Sequence, residues 1–229
     1  MPALTVLKNK TPLADGKTQS VYQHPSDPKL LVKVRKLDRL KQTYERRIGG
    51  IIGFKRRHGF YTTWHRELEH YFSVCLRLGY RPHFLQEYHG IIDTDVGLGL
   101  IVNRITDRAG NLAPTLADVV TKTGLTDDLR AKVEELRRQI NELRISTNDI
   151  SVSNIVYGWN ERMGDHLVLI EGIGVNTFIP LARFSNYFNV RSNDRHFART
   201  VRWLEKLGRQ APDQPRSVSL QADFRNRTG

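Results

Sequence analysis

Cysteine is all but missing from this chain. Cys75 is the one thiol among 229 residues, which excludes an internal disulfide and any metal centre built on several cysteines. Nowhere is there a run of about 18 apolar residues, the length a membrane-spanning helix needs. The opening stretch MPALTVLKNKTP has no apolar core of the kind a secretory signal requires. A soluble, cytoplasmic protein is the expectation. Acidic residues are in deficit: 24 Asp and Glu stand against 36 Lys and Arg, for a formal net charge of +12. That balance favours anionic partners, whether nucleotides, nucleic acid or acidic headgroups. Internal repeats are absent as well.

Apolar residues make up 39% of the chain, enough for a real core, and the length suits one large domain or two small lobes around a cleft. The first hundred residues read mostly as strands. Ser20–His24 and Leu30–Val34 are short β-rich runs separated by the turn signal His24-Pro25-Ser26-Asp27-Pro28. Leu85–Ile92 and Gly97–Asn103 form a second pair hinged at Asp93-Thr94-Asp95. Between the pairs, Trp64–Leu78 carries Leu68, Tyr71, Phe72, Cys75 and Leu78 as an apolar helical face. Ala109–Pro114 reads as a connector. Beyond it, Thr126 is placed to cap a helix bearing Leu129, Val133, Leu136, Ile140 and Leu143, with Asp127 and Asp128 suiting its first turn. Ile155–Tyr157 and Leu167–Ile170 are further strands. A last helix is expected from about Asn193 to Leu207, with Phe197, Val201 and Leu204 inward and Gly208 as its stop. The fold class expected is α+β, two-lobed and protein-kinase-like. It comprises a small β-rich lobe (1–108), a reduced helical lobe (109–208) and a loose tail (209–229).

The chemistry centres on Asp149-Ile150-Ser151-Val152-Ser153-Asn154, which leads directly into the apolar Ile155-Val156-Tyr157. This Asp-to-Asn spacing before a strand is the skeleton of the protein-kinase catalytic loop. There the Asp takes the proton of the attacking hydroxyl and the Asn holds a magnesium ion on the phosphates. Lys33 is the one charge inside Leu30–Val34, and strand alternation puts it on the same face as Leu31, toward an interior or cleft. A kinase uses such a lysine on the α and β phosphates; the bland alternative is an edge-strand lysine that discourages aggregation. Of the two carboxylates on the following helix, Glu67 borders the apolar face and Glu69 lies nearer solvent, so Glu67 is the expected partner of Lys33. A second metal ligand should follow a short strand, and Glu171-Gly172-Ile173-Gly174 stands where a kinase has Asp-Phe-Gly. The longer side chain shifts the carboxylate by roughly 1 Å in a site that tolerates little misplacement. In Asp15–Tyr22 the nucleotide-covering loop has one glycine, Gly16, where a full motif has three. Gly16-Lys17-Thr18 is not a P-loop, because Thr11 occupies the position of its first glycine and a β-rich run follows where a helix is required.

Other features read as bland. Cys75 lies on an apolar helix face, as a core thiol does. His65 and His70 sit about 140° apart round a helix, a poor metal pair. Lys33–Arg57 holds ten Lys and Arg against two acids; this basic insert is either a solvated face or a surface for nucleic acid or an acidic substrate. Ala211-Pro212-Asp213 is similar to the Ala-Pro-Glu that ends a kinase activation segment. Only 16 residues follow it, too few for the helices that segment packs on.

Several landmarks in order resemble one family. They are Ser20-Val21-Tyr22-Gln23-His24-Pro25 with Val32-Lys33-Val34; Arg66-Glu67-Leu68 with Tyr71; Tyr88-His89-Gly90 with Thr94, Asp95 and Gly97; Asn154-Ile155; Ile173-Gly174; and Phe178-Ile179-Pro180-Leu181. Together, over roughly residues 10–205, they resemble the YrbL family of bacterial proteins, named for the PhoP regulatory network. The resemblance implies a compact kinase-like fold in a bacterial cytoplasm. The expected function is that of an ATP- and Mg2+-dependent phosphotransferase acting on a small molecule or a chain end. Asp149 would be the base, Lys33 and Glu67 its catalytic companions, and Asn154 and Glu171 the metal ligands. Gly16, Lys33, Val34 and Val102 would meet the nucleotide, with adenine near Leu100–Arg104. Thr147-Asn148 in place of the usual His-Arg, and Ser151 in place of Lys, speak against efficient protein phosphorylation. The alternative is a pseudokinase that binds nucleotide or a partner and signals by conformation. A third class, a nucleic-acid module, rests on the charge and the insert at 33–57 alone.

Overall fold

β-branched and apolar residues bounded by turn formers build a five-stranded antiparallel sheet in the amino-terminal half of the chain. The structure is a computed structural model and describes residues 4–37, 61–148, 150–174 and 186–209. The strands are β1 (Ala14–Asp15), β2 (Gln19–Gln23), β3 (Leu30–Arg35), β4 (Tyr88–Thr94) and β5 (Gly97–Asn103), in the order β1-β2-β3-β5-β4. The turn expected at His24–Pro28 closes β2 onto β3, with Lys29 N–H donating to Asp27 Oδ1 at 2.7 Å. The register sets Leu31 opposite Val102 and Lys33 opposite Leu100. Leu31, Leu100 and Val102 pack with Trp64 on one face, while Val32 and Val34 pack with Leu7 on the other. Residues 85–87 differ from expectation: β4 begins only at Tyr88. Gln86 N–H donates to Leu169 O at 3.1 Å and Leu169 N–H to Phe84 O at 2.8 Å, so residues 84–86 join the second sheet, while Glu87 stays bonded to Asn103 of β5.

Helix α1 (Thr62–Leu78) crosses the first sheet and ends where Gly79 turns left-handed, φ 76°. It buries Trp64, Glu67, Tyr71 and Val74. The expected face is therefore corrected at one position: Phe72 is 62% exposed, because it stands about 100° round the helix from Tyr71.

The carboxy-terminal half holds α2 (Leu116–Thr123), α3 (Asp127–Glu142), the hairpin β6 (Ile155–Asn160) and β7 (Gly164–Leu169), and α4 (Asn186–Gly208). Thr126 caps α3, its hydroxyl accepting from Leu129 N–H at 3.2 Å. Its apolar stripe, Leu129, Val133, Leu136 and Ile140, is buried as the spacing requires. Helix α2 was not expected. Its sign in the sequence is the capping box of Thr115 and Asp118. Helix α4 ends at Gly208 as read but begins at Asn186 rather than Asn193. The largest core joins Tyr71, Val74, Phe84 and Leu85 to α2, α3, α4 and the hairpin. Cys75 packs against this core, and burial pushes its thiol up. Most of the basic insert (38–60), Phe178-Ile179-Pro180-Leu181 and the tail from 210, including Ala211-Pro212-Asp213, lie outside the described residues.

Candidate active site

Four separate segments meet at one place, and three of them bring charge. Lys33 projects from the inner face of β3 and is 3% exposed. Its Nζ donates to Ile170 O at 2.9 Å and to Glu171 Oε1 at 3.4 Å. The same Glu171 oxygen accepts a short bond from Gln19 Nε2 at the start of β2. Gln19 in turn takes the Trp64 indole N–H, at 3.5 Å, on its own Oε1. Glu67 arrives from α1, also buried, and its Oε1 accepts from Gly172 N–H at 3.0 Å. Gly172 has φ 94°, a conformation that favours glycine and here directs its N–H at Glu67.

The ion pair of Lys33 is thus with Glu171, and Glu67 is held by backbone. Glu67 remains within the field of the cluster: burial, then the nearby Glu171 charge, push its carboxyl up to about 7, against the Gly172 hydrogen bond and the attraction of Lys33 and Arg35. Arg35, two residues beyond Lys33 on the same face, is a member that sequence reasoning missed. It is buried, its guanidinium lies below its ordinary value through desolvation, and its Nε has no hydrogen-bond partner. Gln19 was also missed, since nothing in a β-strand glutamine announces a contact 152 residues away.

Asp149 lies outside the described residues, but its setting is defined on both sides. Asn148 N–H donates to Gly172 O at 2.7 Å and Gly174 N–H to Ser146 O at 2.8 Å. The loop before Asp149 thereby runs alongside the segment after Glu171. Asn154 closes the loop: its N–H donates to Ser151 O, and its carbonyl accepts from Ile170 N–H, each at 2.9 Å. The expected metal ligands Asn154 and Glu171 therefore stand at one end of the β6–β7 hairpin. Both offer oxygen donors, the type magnesium takes, so the donor set fits that ion with phosphate oxygens and water completing it. Among the described residues there is no cluster of three or more His, Cys, Asp and Glu suited to a metal. His70 Nε2 is occupied by Ser146 N–H at 3.1 Å.

A cavity of about 310 Å³ opens beside Lys33. Val21 and Leu31 of the first sheet line one side, Val156 and Ile170 of the hairpin another, and Leu13, Gln86, Ile105 and the 112–115 stretch the rest. Lys33 and Asp118 are its charged groups among the described residues. The positions expected to meet a nucleotide divide. Lys33 faces the cavity. Gly16 turns the β1–β2 hairpin, its N–H donating to Gln19 O at 2.9 Å. Val34 points to the opposite face of the sheet, and Val102, fully buried opposite Leu31, fills the core beneath it. Neither valine reaches the cavity, because alternation reverses Val34 and α1 covers Val102. Leu100 is likewise core.

An antiparallel five-stranded sheet crossed by one helix, with a buried lysine on its third strand facing a hairpin-flanked loop, is a protein-kinase-like fold. Over 92% of its length the chain matches the crystal structure of Rad53 1–466 in complex with AMP-PNP, with a TM-score of 0.50 and 13% identity. It spans about half of that chain, 54%, and the likeness is one of fold. The chain belongs to the family of PhoP regulatory network protein YrbL, whose model matches residues 5–205. It is 26% identical over 198 residues to the "Uncharacterized protein YrbL" of Escherichia coli (strain K12), covering 85% of each chain. The protein of the same name from Shigella flexneri matches to the same extent. No helix among the described residues is long and apolar enough to cross a membrane.

Proposed function

We propose that this protein is a kinase-like phosphotransferase that binds ATP with Mg2+ between the first sheet and the β6–β7 hairpin. The observation that carries the reading is Lys33, paired with Glu171, at the wall of a largely apolar cavity whose other charged group among the described residues is Asp118. Adenine would lie between Val21 and Leu31 on one side and Val156 and Ile170 on the other, and Asp118 would face the ribose hydroxyls. Lys33 would leave Glu171 for the α and β phosphates, with Glu67 turning from Gly172 to hold the freed lysine. Asn154 and Glu171 would hold magnesium, which when bound neutralises phosphate charge as the bond to the leaving oxygen breaks. Asp149 would take the proton of the acceptor hydroxyl. On this reading residues 1–108 form the small lobe, 109–208 the helical lobe, and the acceptor is a small molecule or chain end.

Titration calorimetry of ATP with and without magnesium, followed by measurement of ADP release, tests this. Magnesium-dependent binding with turnover is the expected result; a folded protein without affinity at millimolar nucleotide would sink it. The second reading is a pseudokinase. It is favoured by one observation: Glu171 is already bound by both Gln19 and Lys33, a closed arrangement that a metal ligand would have to leave. Binding without any ADP release selects it.

A further inference from the structure

Helix α4 turns one face to the core and a different chemistry to solvent. Asn189, Asn193, Phe197, Thr200 and Leu204 are buried. At about 100° per residue, the opposite side gathers Arg191, Arg195, Arg199, Arg202 and Lys206 into an arc of roughly 80°, and all five are exposed. No carboxylate falls in that arc. The two acids of the helix, Asp194 and Glu205, are spent on Arg137 and Arg130 of α3. None of the five cations forms an ion pair with a described residue. Arg191 instead donates to Tyr187 Oη at 3.2 Å, and Lys206 lies over the Trp203 ring, 5.6 Å from its centroid. Aromatic rings stand within and beside the row: Tyr187 is 65% exposed, Phe188 49% and Trp203 52%.

We propose that this face of α4 binds single-stranded nucleic acid. Four of the five cations are arginines, whose planar fork matches phosphate and stacks on bases. From Arg191 to Lys206 they follow about 22 Å of helix. Exposed rings interleaved with cations are the pairing an unstacked strand needs: charge for the backbone, π-faces for bases. A membrane surface would need an apolar helix face free to enter the lipid, and the apolar face of α4 is sealed in the core. This surface shares no residue with the cavity beside Lys33. At its carboxy-terminal end, Arg199 and Trp203 also line a recess of about 350 Å³ with Asn148, Ile150 and Ser151.

The test is fluorescence anisotropy of a fluorescein-labelled 15-mer oligouridylate with the full chain across a salt series, without ATP. The chain should bind, and affinity should fall as salt rises. The triple variant Arg191→Gln/Arg195→Gln/Arg199→Gln should lose at least tenfold in affinity and about 2 from the slope of log K against log salt, at about 0.7 per single-strand phosphate contact. Trp203→Ala should weaken binding at least about fivefold with the slope unchanged. Circular dichroism should show both variants folded, since the altered side chains are exposed. Absence of binding, or a triple variant that binds like the parent, would overturn the proposal. So would tighter binding to poly-glutamate or to phosphatidylserine-containing vesicles, or duplex binding as tight as single-strand binding with Trp203→Ala without effect.

Discussion

Asn193 holds Thr147 twice: its Oδ1 accepts the Thr147 hydroxyl at 2.6 Å and the Thr147 N–H at 3.2 Å. Its Nδ2 reaches the other way, to Ile145 O at 2.9 Å and Asn141 Oδ1 at 3.0 Å. Seven residues along the same face of α4, the Thr200 hydroxyl donates to Ile150 O. The stretch that carries Asp149 is thus tied to one helix on both sides of that residue, by side chains that are all but fully buried.

Removing Asn193 should therefore cost stability. Asn193→Ala strands the Thr147 N–H in the interior, at about 1–3 kcal/mol for an unsatisfied group, whereas the Ile145 carbonyl keeps the Asn189 amide at 3.4 Å. Chemical denaturation should show a loss of about 1–3 kcal/mol. A loss below about 0.5 kcal/mol would mean that water replaces the amide.

Glu67 should make stability depend on pH. Its carboxyl is pushed up to about 7 in the folded chain, from an ordinary 4.5, so the folded state holds the proton more tightly than the unfolded one. Its contribution is unaffected below about 4.5 and declines as pH rises toward about 7, by on the order of 3 kcal/mol in total. Glu67→Gln should remove that decline, its stability relative to the parent rising across the window and levelling above it. Parallel stability curves for the two proteins would refute the shift.

Lys33 and Asp149 should separate binding from turnover. Lys33→Met should weaken ATP binding about 10- to 100-fold by calorimetry, the range a charge-assisted contact spans. Asp149→Asn should leave binding near the parent value and abolish ADP release. Equal binding losses would show that the loop is misassigned.

Glu171 should prove sensitive to length. Its Oε1 reaches Lys33 and Gln19 from the turn after β7, and shortening it to Asp withdraws the carboxylate by roughly 1 Å, which the strict geometry of the proposed magnesium site would not forgive. Glu171→Asp and Glu171→Ala should both lower magnesium-dependent affinity for ATP. Affinity unchanged in Glu171→Ala would show that it is no metal ligand.

Local rules were enough for much of this molecule. The Thr126 cap, the stripe from Leu129 to Ile140 and the strand Gly97–Asn103 follow from capping and periodicity, which act within a few residues. The same alternation that turns Lys33 inward also predicts, if followed one residue further, that Val34 points away. That Glu67 lies nearer the apolar face of its helix than Glu69 was legible too: Glu67 is buried and Glu69 exposed. What only the tertiary structure decided is who meets whom. Lys33 pairs with Glu171, 138 residues on, because the β6–β7 hairpin carries that turn under β3. Phe72 faces solvent and Val102 is core because α1 sets Trp64 against Val102 and turns Tyr71 and Val74 into the larger core. The cationic face of α4 emerges only when its helix is known to begin at Asn186 and its two acids are seen to be taken by α3. Periodicity sets which way a side chain points; chain topology sets what it finds there.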